Sequence, residues 1–243
     1  MNSIRRNCFA LLFPVLGFAA VPLAAAQPLA LHPENPRYFL FRGKPAVLIT
    51  SGEHYGAVLN LDFDYVTYLN ELQARGFNLT RTFSGTYREI PASFGIKENT
   101  LAPKPNRFLS PWARSAQPGY VDGGNNFDLT KYDDEYFKRL KDFLAQASQR
   151  GVIVEYVLFC PNYDENLWKA NPMHPSNNIN GISVIPVNEP YTLKHKDLLT
   201  HQEAFVRKVV AELKDFDNVY YEICNEPYFG GVTEDWQAHI ASI

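Results

Sequence analysis

Apolar residues recur along this chain with two spacings, one that suits a helix face and one that suits a buried strand, and the two alternate. Tyr38-Phe39-Leu40-Phe41, a turn at Arg42-Gly43-Lys44 and the run from Pro45 to Thr50 predict a hairpin. The second arm, Ala46 to Ser51, is continuously apolar rather than alternating. That pattern predicts a first central strand covered on both faces, as in a parallel sheet. Three helix-then-strand units follow. Asp62 is the expected cap of a helix carrying Phe63, Val66, Leu69 and Leu72 and stopped by Gly76, and Phe77 to Phe83 is the strand after it. Asp133 caps a second helix with Tyr136, Phe137, Leu140, Phe143, Leu144 and Ala147, stopped by Gly151 and followed by a strand from Val152 to Phe159. Thr200 is the expected cap of a third, with Phe205, Val209, Val210 and Leu213 inward, followed by a strand from Val219 to Cys224.

Strands alternating with helices predict an α/β fold with parallel, right-handed crossovers. The connections after the helices are short. Those after two strands, Phe83 to Asp133 and Phe159 to Thr200, are long, and they leave from strand C-terminal ends, where parallel α/β folds place ligands. The first holds Tyr87, Phe94, Phe108, Trp112, Tyr120 and Phe127, and the second holds Tyr163, Trp168, Asn177 and Asn178. Flat rings beside amides can stack on a sugar face and bond its hydroxyls, so these loops, with Trp168 among them, are expected to offer a carbohydrate platform.

Composition narrows the classes. The chain has 243 residues, of which 46% are hydrophobic and 20% charged. That apolar content is too high for disorder. With 23 Lys and Arg against 26 Asp and Glu there is no basic excess to neutralise phosphates, so no nucleic-acid partner is expected. Arg5 and Arg6 precede an apolar run from Phe9 to Leu23 that ends in Ala24-Ala25-Ala26. Residues 1–26 are therefore expected to be a secretory signal peptide, with residues 27–243 the mature domain, secreted or periplasmic and without a membrane anchor after cleavage. Cys160 and Cys224 remain as a conceivable disulfide or as two small buried residues. There is no HExxH and no CxxC pair, and histidines 32, 54, 174, 195, 201 and 239 lack ligand spacing. No metal and no cofactor is expected.

The last strand runs directly into Asn225-Glu226-Pro227-Tyr228. A glutamate at a strand's C-terminal end can hold a proton for a leaving group, the neighbouring asparagine can hold a sugar hydroxyl, and Pro227 stiffens the exit. The same four letters occur earlier as Asn188-Glu189-Pro190-Tyr191, inside the second long loop and without a preceding amphipathic helix. Context therefore assigns the chemistry to Glu226 and leaves Glu189 as a solvated carboxylate.

With Gly76-Phe77-Asn78-Leu79-Thr80-Arg81 and the stretch from Asn218 to Pro227, the chain resembles the retaining (β/α)8-barrel glycoside hydrolases that include cellulases and mannanases. The resemblance implies a TIM barrel, truncated here after about four βα units. It also implies a polysaccharide or oligosaccharide substrate, Glu226 as general acid/base, Asn225 on the sugar 2-hydroxyl, and Arg81 near the nucleophile, keeping it ionised. Tyr228 and Trp168 join Asn225 and Arg81 as expected substrate contacts.

Two features depart from that group. Many members carry a histidine near the end of the third strand, where this chain has Leu158-Phe159-Cys160-Pro161; His54 is the substitute expected to reach substrate. The nucleophile of a later strand is missing, so an O-glycosyl hydrolase is expected of which this fragment by itself is inactive; Glu53, Glu155, Glu189 and Glu222 are only generic replacements. The alternative is a non-catalytic, carbohydrate-binding half-barrel of unknown oligomeric state. A third class, a Cys–His or metal hydrolase, has no supporting spacing.

Overall fold

The computed structural model describes residues 27–50 and 54–243. The expected signal peptide and Glu53 lie outside them. The chain opens with an antiparallel meander of β1 (Ala30–Leu31), β2 (Phe39–Phe41) and β3 (Lys44–Ala46). Helix α1 (Tyr65–Ala74) precedes β4 (Leu79–Phe83), and an antiparallel pair, β5 (Trp112–Pro118) and β6 (Asn125–Tyr132), follows. Then come α2 (Asp134–Gln149), β7 (Ile153–Phe159), the short α3 (Glu165–Ala170), α4 (Lys196–Leu213), β8 (Val219–Cys224) and α5 (Glu234–Ala241).

Three strands form the parallel sheet in the order β4-β7-β8. Helix α2 crosses from β4 to β7 and α4 from β7 to β8, as the alternating pattern predicts. Strand β7 lies in the middle and is buried throughout except at Glu155. The register sets Arg81 of β4 beside Glu155 of β7, and Glu155 beside Tyr220 of β8. Leu140, Phe143, Leu144 and Ala147 of α2 and Phe205, Val209 and Leu213 of α4 are fully buried, so these faces pack as named from sequence, except that Val210, expected inward, is exposed because it lies one position round the helix from the buried Val209. Asn218 clamps this layer by donating from its amide to the carbonyls of Leu144 and Val152, both at 3.1 Å.

The structure corrects three expectations. Residues 47–50 are not a strand: Val47 and Ile49 are about half exposed, and the segment is held by the Asn78 amide, which donates to Val47 O at 2.9 Å and accepts from Ile49 N at 2.7 Å. Among the described residues the half-covered run meets the start of β4 at one point, where the Asn78 and Leu79 N–H groups donate to Ile49 O at 3.0 and 3.2 Å. Asp64, not Asp62, caps α1, accepting from Thr67 N at 3.0 Å, while Asp62 pairs with Arg107 at 2.6 Å. The face turns accordingly, with Tyr65 buried and Val66 exposed. Helix α4 starts a turn before Thr200, because Leu198 and Leu199 extend its buried face; the Thr200 hydroxyl returns to Lys196 O at 2.9 Å.

The loop before α1 is fixed from below by one side chain. The Arg139 guanidinium of α2 donates to the carbonyls of Val58 at 2.9 Å, Ala57 and Asn60 at 3.1 Å, and Phe63 at 2.9 Å, and lies over the Tyr65 ring. Gly56 in that loop touches Thr100: a Cβ there would lie 2.0 Å from its carbonyl oxygen. Truncating Arg139 removes its donors from four carbonyls, of which Asn60 O keeps the Phe63 N–H at 3.1 Å, and a buried acceptor left unpaired costs about 1–3 kcal/mol. Arg139→Ala is therefore expected to destabilise the fold by about 2 kcal/mol or more, read as a lowered denaturation midpoint; an unchanged midpoint would show that the clamp is not needed.

Candidate active site

The C-terminal ends of β4, β7 and β8 open into a cavity of about 580 Å³ whose lining includes Arg81, Glu89, Tyr163, Glu222, Asn225 and Glu226. Strand β8 ends at Cys224, and Asn225 still pairs its backbone N–H with Phe159 O of β7 at 2.9 Å. The chain then turns sharply: Glu226 has φ +40°, in the left-handed region that non-glycine residues rarely occupy, and Phe229 N returns to Glu226 O at 3.0 Å. Such strain persists where surrounding contacts hold it, and it concentrates at functional sites. Here Gly231 closes the turn against the earlier sequence copy, since a Cβ at Gly231 would meet Asn188 O at 2.1 Å.

Both oxygens of Glu226 accept hydrogen bonds. Tyr163 Oη donates to Oε2 at 2.6 Å and Tyr228 Oη to Oε1 at 3.0 Å. Tyr163 in turn receives the Asn225 amide at 2.8 Å, and Asn225 Oδ1 accepts from Arg81 Nη2 at 2.9 Å. The Arg81 guanidinium is shared, with Nε and Nη2 on Glu222 Oε2 and Glu155 Oε2 at 3.7 Å from Nε. Burial is the largest influence on Arg81 and lowers its proton affinity, but Glu222 and Glu155 outweigh it and hold the guanidinium charged. Burial pushes the Glu155 carboxyl up, with Arg81 opposing.

Aromatic rings make up much of the remaining wall: Tyr55 stacks on Phe83 at 4.9 Å, and Phe94 and Phe229 meet Tyr163 edge-on at 5.4 and 5.6 Å. Tyr228 stands at the mouth, 75% exposed.

Of the residues expected from sequence, Glu226, Asn225, Arg81 and Tyr228 come together in this cavity. Trp168 does not: it is buried, and its Nε1 donates to Ile185 O at 2.9 Å, so its ring packs the second loop onto the body. His54 lies between Phe63 and Tyr68, with both ring centroids at 4.8 Å, and lines a separate groove. Phe108, Trp112, Tyr120 and Phe127 are also buried in loop packing. Glu189 is bound by Lys194 at 2.7 Å and His195 at 2.8 Å, away from the cavity. Cys160 and Cys224 are buried free thiols, and burial pushes both up. Among the described residues no group of three His, Cys, Asp or Glu side chains could hold a metal ion.

Two residues of the site have roles the sequence did not mark. Tyr163 is among the loop aromatics expected to form a sugar platform, but its ring hydroxyl instead bonds Glu226, a role no periodicity in its irregular segment points to. Glu89, only 5% exposed, faces the cavity with Tyr87 Oη at 3.2 Å on Oε1 and the Asn99 amide on Oε2. Burial pushes its carboxyl above the ordinary value of 4.5, with Asn99 and Tyr87 opposing. An acid raised on folding binds its proton more tightly in the native state, so its contribution to stability is lost as pH rises through the unfolded value toward the folded one. Glu89→Gln removes that loss. The stability difference between Glu89→Gln and the wild type is expected to shift in favour of the variant as pH is raised above about 4.5, read by thermal melts between pH 4 and 7; a pH-independent difference would contradict the assignment.

Comparisons with solved structures bear on the fold. A candidate glycoside hydrolase from Bacteroides vulgatus ATCC 8482 superposes with a TM-score of 0.57 at 16% identity, covering 89% of this chain and 36% of that one. A second structure, named glycoside hydrolase, gives 0.50 at 11% identity, covering 88% and 38%. A family 5 glycoside hydrolase, also from Bacteroides vulgatus, gives 0.49 at 14%, covering 88% and 35%. The first two show a glycoside hydrolase-like α/β fold, and the chain spans little more than a third of their length. No curated protein matches the sequence significantly. Residues 102–233, more than half of the chain and including Tyr163, Asn225 and Glu226, match one family along their whole extent: the chain belongs to the family described as domain of unknown function (DUF6298).

Proposed function

We propose that this chain is the acid/base-bearing part of a glycosidase that hydrolyses O-glycosidic bonds of an oligosaccharide or polysaccharide. The observation that carries the reading is the position of Glu226: at the end of a parallel strand, on a strained turn, in an aromatic-walled cavity. In this reading the Glu226 carboxyl protonates the departing glycosidic oxygen and, as carboxylate, then takes a proton from the attacking water. Tyr55, Phe94, Phe229 and Tyr228 offer faces for sugar rings, and the spare hydrogen-bonding capacity of Asn225 serves a ring hydroxyl. The three-stranded sheet is read as part of a (β/α)8 barrel, and the N-terminal pattern as an export signal delivering a secreted or periplasmic enzyme. Retention requires a second carboxyl roughly 5–5.5 Å from the first. Glu222 and Glu155 are engaged by Arg81, and Glu89 by Tyr87 and Asn99; the reading assigns the nucleophile to none of these.

That same engagement favours the second reading, a carbohydrate-binding unit that does not cleave. The two separate on one variant. In the cleaving form, Glu226→Gln is expected to lose about 10²–10⁴-fold on a natural polysaccharide, the range a general acid supplies, and much less on an aryl glycoside with an activated leaving group. Full activity of Glu226→Gln on polysaccharide would overturn the assignment. Oligosaccharide binding without turnover, equal in wild type and variant, would establish the second reading.

A further inference from the structure

The hydrogen bonds around Glu226 have a direction that the donors and acceptors leave no freedom to reverse. Arg81 has only donors, so the Asn225 amide must turn its oxygen toward Arg81 Nη2 and its nitrogen toward Tyr163. The Tyr163 oxygen therefore accepts from Asn225 Nδ2 at 2.8 Å. It also receives the Cys160 thiol, 3.8 Å away, which burial keeps protonated. With both lone pairs occupied, the single hydroxyl proton of Tyr163 has one acceptor left, Glu226 Oε2 at 2.6 Å. Burial, Cys160 and Glu226 all push the Tyr163 hydroxyl up, so it does not ionise and remains a donor.

We propose that Tyr163 is a positioning residue that commits Glu226 Oε2 to accepting a hydrogen bond and so fixes Oε1 as the oxygen that carries and delivers the catalytic proton. An oxygen that receives a short bond from a hydroxyl has no room for its own proton on that side. When Glu226 is protonated, the proton sits on Oε1, whose neighbour Tyr228 is exposed, can itself accept, and can swing aside when substrate enters. In the transfer the Oε1–H bond breaks as the proton goes to the glycosidic oxygen, and the bonding pair returns to the carboxylate. The charge that develops on Glu226 is then met by the Tyr163 donor, itself oriented through Asn225 by Arg81.

The catalytic consequence rests on the reading of Glu226 as acid, whereas the hydrogen-bond order can be tested without substrate. Infrared difference spectra between acid and neutral pH isolate the C=O stretch of protonated Glu226, identified as the band lost in Glu226→Gln. With the proton on Oε1, the C=O oxygen is Oε2. Tyr163→Phe is then expected to move the band to higher wavenumber, and Tyr228→Phe to leave it in place. Should Tyr163→Phe not fold, Asn225→Asp offers the Tyr163 proton a competing acceptor and is expected to shift the band in the same sense. A band moved by Tyr228→Phe, or unmoved by every change at Tyr163 and Asn225, overturns the proposal while leaving Glu226 free to be the acid. In kinetics, Tyr163→Phe is expected to lose at least tenfold more on a phenyl glycoside than on the matching 2,4-dinitrophenyl glycoside, a split that general damage to the fold would not produce. An equal loss on both, with Glu226→Gln still discriminating, would refute the positioning role alone.

Discussion

The site depends on the Arg81 guanidinium. It lies on the middle of β4, faces Glu155 across the register and reaches Glu222 on β8, so one cation ties together all three strands of the parallel sheet. Its partial burial weakens screening by water. Removing one member of a buried ion pair costs about 3–5 kcal/mol, toward the lower end where some solvent remains. The same guanidinium fixes the Asn225 amide, and through it the Tyr163 hydroxyl and Glu226. A charge cluster that a structural account would treat as sheet cement is thus also the origin of the polar order in the cavity.

Beneath this cluster the scaffold is conventional hydrophobic packing. Helices α2 and α4 bury continuous faces on the sheet, Asn218 donates to carbonyls of α2 and of the chain entering β7, and Arg139 to those of the loop before α1. The long loops are built up from these anchors. Most of the loop aromatics are buried around the antiparallel β5–β6 pair and α3, whereas Tyr87, Phe94 and Tyr163 line the cavity. Residue type does not separate the two groups: Phe94 lines the cavity, whereas Trp168, fewer residues beyond its strand, is buried in packing.

The helix-and-strand alternation was legible because apolar spacing reports a face that must be buried, and that requirement is local. The failures have the same origin. The run at 46–51 looked like a buried strand by composition, but among the described residues Val47 and Ile49 are only about half covered. Trp168 looked like a platform by type, but its indole N–H needed the Ile185 carbonyl and the ring went inside. Asp62 and Asp64 are equally good caps on paper, and Arg107, remote in sequence, took the first. Glu226 and Asn225 could be read because they follow a clear strand. Glu89 and the hydrogen-bonding role of Tyr163, which was legible only as a loop aromatic, could not, since they come from partners 10 and 62 residues away.

The central claim, that Glu226 is the acid/base of a glycoside-cleaving site, can be tested directly by chemical rescue. In Glu226→Ala the cavity loses the base, and a small anion can occupy its place. Azide is predicted to accelerate cleavage of a 2,4-dinitrophenyl β-glycoside that the wild-type protein accepts and to yield the β-glycosyl azide, with anomeric configuration retained. Absence of acceleration, or an α-configured azide, would contradict the account.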